Sequence, residues 1–316
     1  MDHSLDRRSL LKVAGGAAAL GAAGTLGLAG KASAAGNGFG LTITDQGVFG
    51  RLQYFRFATA EIGWQPAVNV LLPDDYFANP GRRYPVMYLL HGGLQDFRKF
   101  HMEDDIIGLT AGRKLIVVMP DGGGAGWYSN PVTSFSGPRN WESFHLNQLV
   151  PWIDANFRTF AEYNGRAVSG FSMGGFGALK YAAKYYGHFA SVSAHSGPAS
   201  LRRDAGLVVH WANASSMIDL GGGMVYGTPW DQARVSMDNP MERIESYRNK
   251  RIFMVCGLDE DINETPVRAG QREWRAALSA AGIPYEWYEL PGGHFVRRDM
   301  LQRDIDGVIA RLRKAA

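Results

Sequence analysis

The chain has 316 residues, of which 46% are hydrophobic and 20% charged, and its formal net charge is +3. That length allows one large α/β domain or two small ones and is ample for a buried core, and the composition excludes disorder, collagen and coiled-coil architectures. A charge this close to balance offers no basic footprint for nucleic acid.

The first segment reads as an export signal. Arg7-Arg8-Ser9-Leu10-Leu11-Lys12 is a twin-arginine pattern, and a Gly/Ala-rich apolar stretch runs from Val13 to Ala29. Ala32-Ser33-Ala34 supplies the small residues that a signal peptidase needs, so cleavage is expected after Ala34. The stretch is short and only weakly apolar, which suits a cleaved signal better than a membrane anchor. No later segment is long and apolar enough to span a bilayer, so the mature protein is expected to be secreted or held in the cell envelope. Residues 1–34 hold four basic and two acidic side chains, so about +1 of the whole chain's +3 belongs to the remainder. Cys256 is the single cysteine, which rules out an intramolecular disulfide, and its apolar surroundings suit a buried small side chain.

Beyond the signal, strand-like and helix-like segments alternate across residues 35–316. Short apolar or alternating runs predict strands at Leu52–Ala60, Ala67–Leu72, Pro85–Leu90, Leu115–Met119, Ala167–Gly170, Phe189–Ala194, Arg251–Cys256 and Tyr285–Glu289. Helical spacing appears at Phe144–Phe157, Gly174–Tyr186, Arg268–Ala281 and Arg303–Arg313. Nearly unbroken apolar strands alternating with helices predict a doubly wound, mostly parallel sheet of about eight strands. Residues 198–246 lack a clear period and are too many for a plain connection, so a cap or lid inserted over the sheet is expected there.

Gly170-Phe171-Ser172-Met173-Gly174 matches G-x-S-x-G, with an apolar strand before it and a helix after it. That context is a nucleophile elbow: a strained strand-to-helix turn that exposes Ser172 Oγ and aims a helix N-terminus at the reacting carbonyl. His294, in Pro291-Gly292-Gly293-His294, follows the last predicted strand and is the candidate base. The acid should come from the loop after strand Arg251–Cys256, where Asp259, Glu260, Asp261 and Glu264 crowd together. Asp261 is favoured on its spacing from the strand, with Glu260 next and then Glu264. The backbone N–H groups of Met173 and Gly93, in His91-Gly92-Gly93-Leu94, are the candidate oxyanion hole. No H-E-x-x-H pattern or cysteine cluster suggests a metal, and no cofactor is expected.

Several segments together resemble the esterase D-like family of α/β-hydrolases, which includes secreted mycolyltransferases. They are L-L-H-G-G (89–93), V-V-M-P-D-G-G-G (117–124), W-Y-S-N (127–130), N-W-E-S-F (140–144), L-V-P-W-I-D-A-N-F (149–157), G-F-S-M-G-G (170–175) and P-G-G-H (291–294). The resemblance covers roughly residues 66–313. It implies an α/β-hydrolase fold, a triad of Ser172, an acid and His294, an oxyanion hole at Gly93 and Met173, and either ester hydrolysis or acyl transfer to a sugar hydroxyl. Mycolyltransferases resemble L-D-G-L where this chain has L-H-G-G, a departure that leans toward the hydrolytic members.

The leading expectation is therefore a serine carboxylic ester hydrolase that works through an acyl-enzyme and takes a small-molecule, lipid or sugar acyl ester. The alternatives are an acyltransferase using the same residues with an alcohol in place of water, and a catalytically silent surface-binding protein. Trp127, Trp141, Trp211 and Trp230 are expected either to line an acyl or sugar pocket or to belong to the core.

Overall fold

The computed structural model describes residues 35–315, so the twin-arginine segment lies outside the described residues. Among the described residues are nine strands: β1 (Thr42–Phe49), β2 (Leu52–Ala58), β3 (Ala67–Leu71), β4 (Val86–Leu90), β5 (Ile116–Pro120), β6 (Arg166–Phe171), β7 (Ser191–His195), β8 (Arg251–Gly257) and β9 (Glu286–Leu290). The α-helices, in chain order, are α1 (Lys99–Met102), α2 (Ile106–Leu109), α3 (Trp141–Ser143), α4 (Val150–Asn156), α5 (Met173–Lys184), α6 (Arg203–Ile218), α7 (Gln232–Asp238), α8 (Glu264–Ala280) and α9 (Arg298–Arg311).

The strands form one sheet in the order β1-β2-β3-β5-β4-β6-β7-β8-β9. Pairing is antiparallel from β1 through β2 and β3 to β5, and parallel from β5 onward. The fold is thus the expected α/β class, a mixed and mostly parallel sheet. The additional strand is β1, whose sequence TITDQGVF carries no apolar run. It is an edge strand paired only with β2 and largely exposed, so nothing required it to be hydrophobic.

Alternate side chains of the central strands enter separate cores. Val86, Tyr88 and Leu90 of β4 pack on one face with Trp152, Phe176, Leu179, Trp274 and Leu278. Met87 and Leu89 pack on the other with Phe100, Ile106, Leu301, Ile305 and Val308. Burial on both faces explains why these strands read as continuous apolar runs. Helix α9 is also pinned by charge. Asp304 is fully buried and accepts from Ser169 of β6, Ser193 and His195 of β7, and Arg251 of β8.

Residues 198–246 contain α6 and α7, and a 3₁₀ run at Pro240–Tyr247 closes the segment. A buried ion cluster ties this segment to α5: Lys180 and Lys184 both pair with Glu142 and with Asp238 of α7. Burial pushes the Glu142 carboxyl up, but the two ammonium groups outweigh it and hold the pKa at about 2. Among the described residues no helix is long and apolar enough to cross a membrane.

Candidate active site

Ser172 sits between β6 and α5 with φ +53° and ψ −119°, a backbone conformation that a non-glycine residue holds only when its surroundings enforce it. The surroundings are explicit. The Ser172 N–H donates to the His195 carbonyl at 2.9 Å, and its own carbonyl accepts from Phe176 N–H at 3.0 Å. A Cβ on Gly170 would collide with the Gly174 carbonyl, and one on Gly174 would collide with the Leu90 carbonyl. The two flanking glycines of the motif are therefore close-approach positions, and the turn they permit lifts Ser172 Oγ out of the sheet.

Ser172 Oγ donates to His294 Nε2 at 2.7 Å, and His294 Nδ1 donates to Glu264 Oε2 at 2.5 Å. Glu264 is fully buried, and its second oxygen accepts from Ser196 Oγ at 2.9 Å and from the Gly257 N–H. The carboxylate on the imidazole is thus Glu264, and Asp261 is corrected from that position. Asp261 Oδ1 accepts from the N–H groups of Asn263 and Glu264 at 2.8 and 2.6 Å, so it closes the open first turn of α8. Burial raises the Asp261 pKa, but those two N–H groups outweigh it and hold the carboxyl below its ordinary value. Glu260 is exposed and turns outward to Arg268 at 2.5 Å. The deciding quantity was side-chain direction: the first turn of α8 aims Glu264 back at the end of β8, beneath the loop that carries its neighbours.

The His294 loop has its own brace. The Arg297 guanidinium is buried, and one of its nitrogens donates to the carbonyls of Pro291, Gly292 and Gly293 at 3.1–3.3 Å and to that of Leu290 at 3.5 Å. The Phe171 ring lies 5.0 Å from the imidazole, centroid to centroid.

Gly93 and Met173 both line the cavity that holds Ser172 and His294. Met173 is the first residue of α5, so its N–H has no acceptor within the helix. The direction of the Gly93 N–H follows from the peptide plane it shares with the Gly92 carbonyl. His91 Nδ1 donates to that carbonyl at 2.7 Å, and His91 Nε2 accepts from Gly122 N–H at 2.8 Å, which fixes a neutral ring with its proton on Nδ1. In a trans peptide the N–H points opposite to the C=O. The Gly93 N–H therefore faces away from the buried His91, and it has no protein acceptor among the described residues. Two unspent N–H groups beside one hydroxyl are the requirement for stabilising an oxyanion.

The cavity measures about 520 Å³. Its wall opposite Ser172 comes from α6 (Trp211, Ala214, Ser215, Ile218) and from Asp219 and Leu220 just beyond it. Residues 198–246 therefore supply a wall of the site, as a cap would. Of the four tryptophans, Trp127 and Trp211 line the cavity, Trp141 is fully buried in the core, and Trp230 packs on His210. Trp127 and Tyr128 occupy successive left-handed conformations. They are locked by Trp127 Nε1 donating to Ser215 Oγ at 2.9 Å and by Tyr128 Oη donating to the His91 carbonyl at 2.9 Å. Asp219 accepts from Ala125 N–H at 2.8 Å, a second tie between the end of α6 and the floor of the cleft. Among the described residues no group of three or more His, Cys, Asp or Glu side chains is arranged to hold a metal.

Residues 59–299 match the family model named Esterase. Over 295 residues, 89% of this chain, the sequence is 67% identical to "Esterase Rv1288" of Mycobacterium tuberculosis, and it spans 64% of that relative's length. Among solved structures, an S-formylglutathione hydrolase from Agrobacterium tumefaciens superposes with a TM-score of 0.67 at 18% identity, covering 85% of this chain and 99% of the other. MPT51 (FbpC1) of Mycobacterium tuberculosis superposes with a TM-score of 0.65 at 18% identity, covering 81% and 97%. At those identities the superpositions speak for the fold.

Proposed function

Because the chain belongs to the Esterase family, we propose that it hydrolyses carboxylic esters through an acyl-enzyme formed on Ser172. The observation that carries this reading is the unbroken relay Ser172 Oγ–His294–Glu264, at 2.7 and 2.5 Å, opening into a cavity. In the first half-reaction His294 Nε2 takes the hydroxyl proton as Ser172 Oγ attacks the acyl carbon. Glu264 holds the ring in the required tautomer and stabilises the imidazolium. The carbonyl oxygen becomes an oxyanion facing the N–H groups of Gly93 and Met173. His294 then returns the proton to the leaving alkoxide as the C–O bond breaks. In the second half-reaction water replaces the alcohol, His294 takes its proton, and the free acid leaves with Ser172 restored.

The test is Ser172→Ala on p-nitrophenyl butyrate, combined with mass spectrometry of the native protein after a fluorophosphonate probe. A fall of roughly 10⁴-fold or more in kcat, with the adduct on Ser172, is expected. Full turnover by the alanine variant would overturn the mechanism. Run with trehalose or glycerol present, the main product should remain free acid; acylated acceptor as the main product would replace hydrolysis with transfer. Export belongs to the same proposal and is supported by Arg7-Arg8 and the small residues to Ala34. Replacing both arginines with lysine should leave the protein in the cytoplasmic fraction.

A further inference from the structure

The turn that carries the candidate oxyanion donor has an unusual residue at its tip. Leu94 has φ +59°, in the left-handed region that glycine takes freely and a bulky side chain takes only under constraint. Two glycines precede it, yet neither Gly92 nor Gly93 carries the positive φ. The constraint is visible: Leu94 N–H donates to the Gly124 carbonyl at 2.7 Å. The result is a leucine 89% exposed while lining the same cavity as Ser172 and His294. A strained backbone that presents an apolar side chain to water serves neither the core nor solubility.

Leu94 has counterparts on the other side of the cleft. Ile218, the last residue of α6, is 87% exposed, and Leu220 is 65% exposed; both line the same cavity. The wall continues through Ala214 and Trp211 to the buried Val267 and Trp127. Apolar side chains thus line the cavity from the nucleophile to two exposed lips on separate elements, with Ser215, Asp219 and Asn263 as the polar residues among them. Exposed apolar side chains gathered at a pocket mouth mark a binding surface.

We propose that this path holds the acyl chain of the ester substrate, that chains long enough to reach the lips are preferred, and that Leu94 is a chain-length determinant. This rests on the reading of Ser172 as the nucleophile. The occupant is apolar because Leu94, Ile218 and Leu220 are uncharged and the Asp219 carboxylate between the last two is turned to Ala125 N–H and Arg139. It is continuous with the site because the same cavity contains Ser172. Each methylene that moves from water onto this surface should raise kcat/KM, by at most about fourfold if fully buried.

The test is kcat/KM across p-nitrophenyl esters from acetyl to dodecanoyl, each kept below its aggregation concentration, for wild type, Leu94→Asn, Ile218→Gln and Phe49→Asn. Asparagine accepts the left-handed conformation, so Leu94→Asn removes the apolar surface and keeps the turn. The dodecanoyl-to-butanoyl ratio should fall about tenfold in Leu94→Asn and severalfold in Ile218→Gln. It should be unchanged in Phe49→Asn, which alters an exposed aromatic on the edge strand β1, outside the cleft. Melting temperatures should stay within a few degrees of wild type. An unchanged ratio in Leu94→Asn, with or without a lower melting temperature, would overturn the proposal. So would the absence of any long-chain preference in wild type below the aggregation concentration, because the lips would then not hold a single chain. Loss of all turnover in Ser172→Ala beside an unaltered ratio in Leu94→Asn would fail this inference alone; turnover by Ser172→Ala would fail the reading beneath it.

Discussion

Among the described residues two serine–histidine–carboxylate clusters stand out, and only one of them is arranged as a relay. In the first, Ser172, His294 and Glu264 form a line: the hydroxyl reaches the imidazole, and the imidazole reaches the acid. In the second, Ser169, Ser193 and His195 all converge on Asp304, and neither serine touches the histidine. Arg251 occupies the same carboxylate at 2.7 Å, and every one of those serines, the histidine and the aspartate is buried. Residue types and proximity are alike in the two places. The difference lies in sequence of contact, in access, and in the backbone. Ser172 has a strained φ and a cavity; Ser169 and Ser193 lie within ordinary strands. A base can activate a hydroxyl only by accepting its proton, so a star of donors around an acid is a clamp and a line is a relay.

The largest effect that would break this contrast concerns the acid. Glu264→Gln should lower kcat by about 10³- to 10⁴-fold on p-nitrophenyl butyrate, as loss of the group that orients the imidazole does elsewhere, whereas Asp261→Asn should cost less than about tenfold. The reverse ranking would return the relay to Asp261. Next comes the clamp. Asp304→Asn should destabilise the fold by about 3 kcal/mol in urea unfolding, while activity per folded molecule stays within a few-fold of wild type.

Titration separates the clusters further. Burial raises the Asp304 pKa, but the bond from His195 and the charge of Arg251 outweigh it and leave the carboxyl well below its ordinary value of 3.8. A depressed acid contributes stability that is full above that ordinary value and is lost as pH falls below it. Wild type should therefore lose melting temperature as pH drops below about 4, and Asp304→Asn should show a flatter dependence over the same range.

A smaller effect is expected at Arg297, a positioning residue whose guanidinium gathers the carbonyls of the His294 loop. Arg297→Lys keeps the charge but loses the planar fork, and should lower kcat about tenfold with little change in KM. Equal losses in both, tracking a lower melting temperature, would make it merely structural. The smallest is Ser196→Ala, which removes one donor to Glu264 and should cost only a few-fold in kcat, read from the same assay.

Much of the site was legible because it is written locally. The nucleophile turn, the glycine turn and the histidine loop each announce themselves within five residues, and each follows a strand, apolar in the first two cases. Buried strands were legible because both faces demand hydrophobic residues. The acid was not, because four carboxylates within six residues differ only in where the first turn of α8 points them. Strand β1 was missed because an exposed edge strand needs no pattern. The left-handed leucine beside the oxyanion turn was also invisible, since Gly92 and Gly93 look like the natural bearers of that geometry. A bulky residue directly after two glycines was the only hint available.

The placement of the acid on a helix has a consequence for how this site can vary. Glu264 is fastened straight to the end of β8 through the Gly257 N–H and to Ser196 at the end of β7. The segment from Leu258 to Glu260 braces the His294 loop, with Asp259 Oδ1 accepting from Gly292 N–H at 3.1 Å and Leu258 N–H donating to the Leu290 carbonyl at 2.9 Å. Where an acid sits in the loop itself, any change of loop length moves it. Here strand and helix hold the carboxylate, and the loop is left to hold the histidine, so a change of loop length would move His294 before it moved Glu264. That stretch lies a few residues from Asn263 at the edge of the cleft, so its exposed Leu258 and Glu260 side chains are where new substrate contacts could be grafted with the Asp259–Gly292 brace kept.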